Sequence, residues 1–332
     1  MTTNSVGVID IGGTKIAYAL VGSSQSLLPQ CLMQKQIPFK KGIDSLKLAL
    51  EQIINDINTW FQQYGGSDSL DIVVGSAGNF KPNSAIILPG TAVNLGNTPT
   101  EFDNLDLKQL ILDAASSQLN CQIVNDALLQ LAGGVLYAYD AGLSLAHKTI
   151  AYIGPGTGLG GAFARLAPSG LESITDGHIF DMQLHDPLGN PVMAEDVFSG
   201  RGFQQTYHIS LKEINDSEQL LTQFESQIQQ LGDYLAQIMI NIYQGYFKKY
   251  SDYPWKPSDY KLIKQLDIFI FGGSIATKGI IAKTIKDRAT SLFQDRLGVI
   301  PKVFSIPDTA KAALMGGFAL ANSSTIFSQI DS

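Results

Sequence analysis

Apolar, β-branched residues occur along this chain in short unbroken runs that end in glycine clusters, and longer stretches between them carry apolar residues at helical spacing. The first run, Val6-Gly7-Val8-Ile9-Asp10-Ile11, predicts a buried strand. Gly12-Gly13-Thr14 then makes a tight turn, and residues 15–21 return as a second strand, so the chain opens with a hairpin. A third strand is predicted around residues 31–37. Leu46, Leu50, Ile53, Ile54 and Ile57 share one face of a helix over 45–61. A buried strand at 70–75, a helix at 107–119, a strand at 122–124 and a helix at 127–139 follow.

The pattern then starts again. Residues 149–154 form a strand, 155–160 a glycine-rich turn, and 161–165 a returning strand. One long amphipathic helix is predicted over 217–248, with Lys248–Lys249 as its solvated end. The strand 266–271 runs into Gly272-Gly273, and a helix at 279–293, a short strand near Val303 and a helix at 309–322 complete the chain. The last helix carries Ala312, Ala313, Gly316 and Gly317, small residues that allow close packing. Ile9–Thr14 followed by a strand has the same plan as Ile153–Gly158 followed by a strand, an internal repeat that predicts a duplicated α/β domain with a boundary near residue 126.

Composition narrows the class. The chain has 332 residues, 45% hydrophobic and 16% charged, enough for two lobes of an ordinary globular enzyme. A formal net charge of -7 gives no basic footprint for nucleic acid. No apolar stretch is long enough to cross a bilayer, and Met1–Ser5 lack the basic-then-apolar plan of a signal peptide, so the cytoplasm is the expected compartment. Cys31 and Cys121 lie far apart with no His or Cys at ligand spacing, so neither a disulfide framework nor a structural zinc is expected.

The candidate chemistry sits on the glycine turns. A glycine-rich turn between strands can present backbone N–H groups to a phosphate, although hairpins use glycine for conformation alone. Asp10 ends an otherwise buried strand beside such a turn, where it either caps the turn or holds the waters of Mg²⁺. Asn125-Asp126 precedes a helix, and both residue types suit a cap.

Three motifs in order carry a resemblance. Asp10-Ile11-Gly12-Gly13-Thr14-Lys15 resembles the first phosphate motif of bacterial sugar kinases of the ROK (repressor, ORF, kinase) and glucokinase families. Gly156-Thr157-Gly158-Leu159-Gly160-Gly161 resembles their second phosphate motif, and Gly272-Gly273-Ser274 their adenosine motif. Asn125-Asp126, the segment Ala92–Gly96 with Asn94, Gly177-His178, and Ala194–Gly202 with Glu195 resemble further family segments.

The resemblance implies an α/β, two-lobed, actin-like (ribonuclease H-like) ATPase fold with duplicated mixed β-sheets and flanking helices. The implied lobes are 1–125, with a C-terminal helix at about 309–332 packing back on it, and 126–308. It implies transfer of the γ-phosphate of ATP to the 6-hydroxyl of a hexose, glucose first, with Asp126 as the base. Gly78, Asn94, Asn125, Asp126, His178 and Glu195 would bind sugar. Asp10, Gly12, Gly13, Thr14, Lys15, Gly156, Thr157, Gly158, Gly272, Gly273 and Ser274 would bind nucleotide, with Asp10 holding Mg²⁺ through water. Relatives are commonly homodimers.

Two departures matter: Thr175 stands where the family has Glu, and the ROK cysteine cluster for zinc is absent. Kinases for mannose, fructose or an N-acetylated hexosamine, kinases using polyphosphate, an acid kinase of the same fold and a sugar-sensing regulator are the rival readings. With only five residues before Val6, no DNA-binding helix-turn-helix is expected.

Overall fold

The computed structural model describes residues 5–24, 28–66, 69–115, 119–167, 169–175, 178–251 and 266–331, with backbone only at Thr175, His178 and Asp331. The chain forms two compact units. The first comprises Met1–Ala146, Ala167–Leu171 and Ala310–Ser332; the second comprises His147–Leu166 and Glu172–Thr309.

In the first unit, β1 (Ser5–Ile11), β2 (Lys15–Gly22), β3 (Gln30–Pro38), α1 (Ile43–Gln63), β4 (Leu70–Ser76), α2 (Leu107–Asp113), β5 (Leu119–Asn125) and α3 (Asp126–Asp140) follow in order. The sheet order is β3-β2-β1-β4-β5. β1 is antiparallel to β2 and parallel to β4, and β4 is parallel to β5. Strand alternation sorts the faces. Ile9 and Ile11 share a core with Leu46, Leu50, Ile53, Ile57 and Trp60 of α1 and with Leu107 and Ile111 of α2. Val8 and Gly75 point the opposite way, where Gly75 admits Leu129 of α3: a Cβ there would lie 2.2 Å from the Leu129 side chain.

The second unit runs β6 (Thr149–Pro155), β7 (Leu159–Ala167), β8 (Gly170–Thr175, whose first two residues belong to the first unit), a 3₁₀ turn (His178–Asp181), β9 (Gln183–His185), β10 (Pro191–Met193), α4 (Ala194–Val197), α5 (Gly200–Tyr207), α6 (Leu211–Asn215), α7 (Glu218–Gln223), α8 (Glu225–Tyr243), β11 (Ile268–Phe271), α9 (Gly273–Thr277), α10 (Gly279–Leu297) and β12 (Val303–Ser305). Its main sheet, β12-β11-β6-β7-β8, repeats the first unit's order with β6 in the place of β1. β6 is likewise antiparallel to β7 and parallel to β11. The internal repeat in the sequence is thus a repeat of topology. α8 and α10 bury Leu235, Met239, Ile285 and Phe293 against Ala151, Ile153 and Phe269 of this sheet.

α11 (Thr309–Ala321) and α12 (Ser323–Asp331) return to the first unit. α11 crosses α3 backbone to backbone: a Cβ on Gly133 would lie 1.9 Å from the Ala312 carbonyl oxygen, and one on Gly316 would lie 1.9 Å from that of Leu129. Glycine at both positions removes the side chains that would keep the helix axes apart.

Several sequence expectations need correction. The division falls after Ala146 rather than at 125/126, because α3 is bound into the first unit by Gly75, Gly133 and Gly316. The helix expected over 217–248 is two helices; α7 stops at Gln223 and α8 ends at Tyr243. Lys248 and Lys249 are extended instead, with the Lys248 carbonyl accepting from the Gln183 amide and Lys249 bridging to Met182. The helix from Leu107 ends at Asp113, six residues short of Leu119, which opens β5. Among the described residues, no helix is long and apolar enough to cross a membrane.

Candidate active site

In the first unit the candidate residues gather at the carboxyl ends of the parallel strands β1, β4 and β5, the edge at which open α/β sheets take ligands. Register lines up Asp10 with Gly75 and Gly75 with Val124; one residue further, Ile11, Ser76 and Asn125 form the next row. Asp126 then opens α3. Asp10 is on the strand face that meets this helix, so the two carboxylates sense each other. Burial first, and then the charge of Asp126, push the Asp10 carboxyl up from 3.8 to about 7, with Lys15 opposing. Asp10 retains some surface at the turn, but the surrounding protein displaces most of its water.

Asn125 is a side-chain cap. Its Oδ1 accepts from the Ala127 amide at 3.0 Å, and its Nδ2 donates to the Gly78 carbonyl at 2.8 Å. Asp126 Oδ1 also accepts from the Ala127 amide, at 2.9 Å. The cap and base readings of Asn125-Asp126 are therefore compatible, since the cap fixes where the Asp126 carboxylate lies. Gly78 has φ 101, and a Cβ there would lie 3.0 Å from that of Ala92. The loop bearing Asn94 is thereby drawn in under Asn125.

The turn after β1 closes with the Gly12 amide donating to the Lys15 carbonyl at 3.0 Å. Gly13 touches Asn94, whose carbonyl oxygen would be 3.1 Å from an added Cβ. Thr14 and Lys15 are exposed at the tip. The structure thus brings Asp10, Gly12, Gly13, Asn94, Gly78, Asn125 and Asp126 together. Glu101, which the sequence did not mark, anchors this loop: its carboxylate accepts from the amides of Ile43 at 3.0 Å and Asn97 at 2.6 Å, which hold it below the usual carboxylate range.

The second unit assembles the other glycine motifs. In the turn between β6 and β7 the Gly156 amide donates to the Gly158 carbonyl at 2.8 Å. An added Cβ on Gly156 would meet nothing within 4 Å, and Thr157 is exposed, so this face is open. The Gly272 amide donates to the Ile153 carbonyl at 3.0 Å and that of Gly273 to Thr309 Oγ1 at 3.2 Å. Gly273 has φ +69, and its Cβ would lie 2.2 Å from the Pro155 carbonyl oxygen. Gly272–Ser274 therefore lies directly against the end of β6, beside the turn. The buried ring of Tyr152 runs beneath both motifs; a Cβ on Gly154 or on Gly272 would be 2.2 Å from its hydroxyl.

Glu195 is turned into the unit. Its Oε2 accepts from the Leu159 amide at 3.0 Å, and its Oε1 pairs with the Arg201 guanidinium. Burial raises its pKa, opposed by the Leu159 amide and Arg201. The His178 backbone lies in the 3₁₀ turn; its side chain and that of Thr175, together with Asp176 and Gly177, lie outside the described residues. Among the described residues no group of three or more His, Cys, Asp or Glu is placed to hold a metal. The β9–β10 hairpin is tied by Asp186, which accepts from the amides of Leu188 at 2.9 Å and Asn190 at 2.8 Å and from Asn190 Nδ2 at 3.0 Å.

Two mixed sheets of one strand order, each with a glycine turn after its first strand, define the actin-like ATPase fold. The sequence profile of the ROK family matches residues 6–249, and the chain belongs to that family, whose kinases phosphorylate sugars. Solved structures agree on the fold. A ROK family glucokinase from Streptomyces griseus, in complex with glucose and AMPPNP, superposes with a TM-score of 0.64 at 17% identity over 96% of this chain and 99% of its own. Glucokinase from Balamuthia mandrillaris, in complex with glucose, gives 0.69 at 14% identity over 97% and 94%. A ROK family transcriptional regulator, homologue of the E. coli MLC protein, gives 0.55 at 16% identity over 98% and 81%. Among the curated proteins none matches the sequence.

Proposed function

We propose that this protein is an ATP-dependent hexose kinase that phosphorylates the 6-hydroxyl of its sugar, with glucose as the first candidate. One observation carries the reading. Asp10, at the end of β1, and Asp126, at the start of α3, lie at the carboxyl edge of the first sheet beside the Gly12–Gly13 turn, and the charge of Asp126 joins burial in raising the Asp10 carboxyl to about 7. A carboxylate so short of water and so close to another carboxylate favours a bound cation. Mg²⁺ held through water by one carboxylate and by nucleotide phosphates fits this donor set, and it would neutralise charge on the transferring phosphoryl group.

Asp126 accepts the proton of the sugar hydroxyl as that oxygen bonds to the γ-phosphorus and the bond to the ADP oxygen breaks. The Asn125 bonds to Ala127 and Gly78 hold the base in place. Asn94, against the Gly13 turn, and Asn125 contact sugar hydroxyls; His178 and Glu195 join them through the resemblance. Lys15, Thr14, Thr157 and the glycines of the two turns bind phosphate, and Gly272–Ser274 lines the adenosine pocket. A homodimer in the cytoplasm is the expected setting.

The test is a panel of hexoses, N-acetylated hexosamines and polyphosphate or ATP donors, read by a coupled ADP assay or by product phosphate. Asp126→Asn, which preserves the cap, should abolish turnover and leave sugar binding by calorimetry intact. Near-normal turnover in that variant sinks the base assignment, and no phosphorylation of any sugar in the wild type sinks the kinase reading in favour of a sugar sensor.

A further inference from the structure

We propose that Arg201 is a positioning residue of the candidate nucleotide site, holding the turn 156–158 in shape through Glu195. The inference rests on the reading of that turn as a phosphate cradle.

A glycine-rich hairpin turn has many accessible conformations, and fixing it costs entropy each time a ligand binds unless the protein has fixed it beforehand. Here one segment fixes it from two sides. The Gly200 amide donates to the Gly156 carbonyl at 2.8 Å, and the Arg201 amide donates to the Thr157 carbonyl at 3.0 Å. From the other side the Leu159 amide, where the turn re-enters β7, donates to Glu195 Oε2 at 3.0 Å, and Glu195 Oε1 meets the Arg201 guanidinium. Arg201 thus grips both limbs of the turn, one with its backbone and the other through a carboxylate.

The geometry depends on close approach. A Cβ on Gly200 would lie 2.9 Å from the Gly156 carbonyl oxygen, and one on Gly202 would lie 2.0 Å from that of Asp196. Ser199, fully buried, caps α5 by accepting from the Gly202 amide at 3.0 Å, which sets the helix start against the turn. Burial works against the Glu195 carboxylate, and Arg201 is its counter-charge. Removal of Arg201 leaves that carboxylate without it, so the whole clasp loosens.

Arg201→Met and Arg201→Lys are the variants to compare, in the full chain with Mg²⁺, varying ATP at saturating sugar and then sugar at saturating ATP. The methionine variant should raise KM for ATP about tenfold while KM for sugar stays within about twofold, and lysine should recover part of the loss. A residue that only staples the unit would lower Tm and active fraction and leave KM for ATP unmoved; that result overturns the proposal. If Arg201→Met fails to fold, Arg201→Lys alone carries the test, with a smaller rise in KM for ATP and an unmoved KM for sugar. A loss confined to sugar KM overturns it. A wild type that neither binds ATP nor transfers phosphate removes the underlying reading as well, whereas an active wild type with an unshifted methionine variant removes the clasp alone.

Discussion

Replacing Asp10 by Asn should make the unliganded protein more stable at neutral and alkaline pH while destroying its activity. The Asp10 carboxyl is raised from 3.8 to about 7 by burial and by Asp126. The folded state therefore binds a proton that the unfolded chain has already released across that window. Stability from this group is fully present below about pH 4 and is lost as pH rises through about 7. The full displacement corresponds to up to about 4 kcal/mol at pH 8. Solvent reaching the exposed part of the side chain lowers this, and about 1–2 kcal/mol is the expected gain for Asp10→Asn. Urea unfolding of both proteins at pH 4, 6 and 8 measures it: the two curves should nearly coincide at pH 4 and separate as pH rises. Taking the difference between variants cancels the opposite trends of Asp56, Glu101 and Glu213, whose carboxyls are lowered. A variant no more stable than wild type at pH 8, or a constant gap at all pH values, would show that Asp10 is not held against its own charge.

Other expected outcomes follow from named contacts. Gly316→Ala pushes a methyl to 1.9 Å from the Leu129 carbonyl oxygen at the α3–α11 crossing and should cost roughly 3 kcal/mol or more in thermal unfolding. Gly156→Ala meets nothing within 4 Å, so its Tm should match wild type while KM for ATP rises if the open face of this turn holds phosphate as proposed. Asp186→Ala should strip hydrogen-exchange protection from the amides of Leu188 and Asn190; the lowered Asp186 carboxyl means that the wild-type hairpin keeps this support until pH falls below the ordinary aspartate range.

The main strands could be read from the sequence because their signal is local. Val6–Ile11, 70–75, 149–154 and 266–271 are β-branched or aromatic runs closed by glycine, and the three glycine motifs sit where the strand ends place them. What escaped depends on distant partners. α3 buries Ala127, Leu128, Leu129, Leu131, Ala132, Val135, Leu136 and Ala138, residues around its whole circumference; periodicity cannot say which unit owns such a helix. The break between α7 and α8 falls at Phe224, an apolar residue with no turn signature. β9 and β10 have three residues each, too few for alternation to register. At the site, the pairing of Asp10 with Asp126 and the inward turn of Glu195 come from register and from Arg201, which the motif contained but did not single out.

The α3–α11 crossing also sets a clock on folding. α3 is synthesised by residue 140, yet the backbone surface that receives it belongs to residues 309–321. During synthesis the first unit must wait for the whole second unit to leave the ribosome, with the face of α3 that meets α11 uncovered. At the usual ~5–20 residues per second that interval is on the order of ten seconds or more. The first sheet and α1 can close early on local contacts, but the edge that carries Asp126 is finished last. Chaperone demand should therefore concentrate on α3, and a chain stalled before residue 309 should be an aggregation-prone species rather than half of an enzyme.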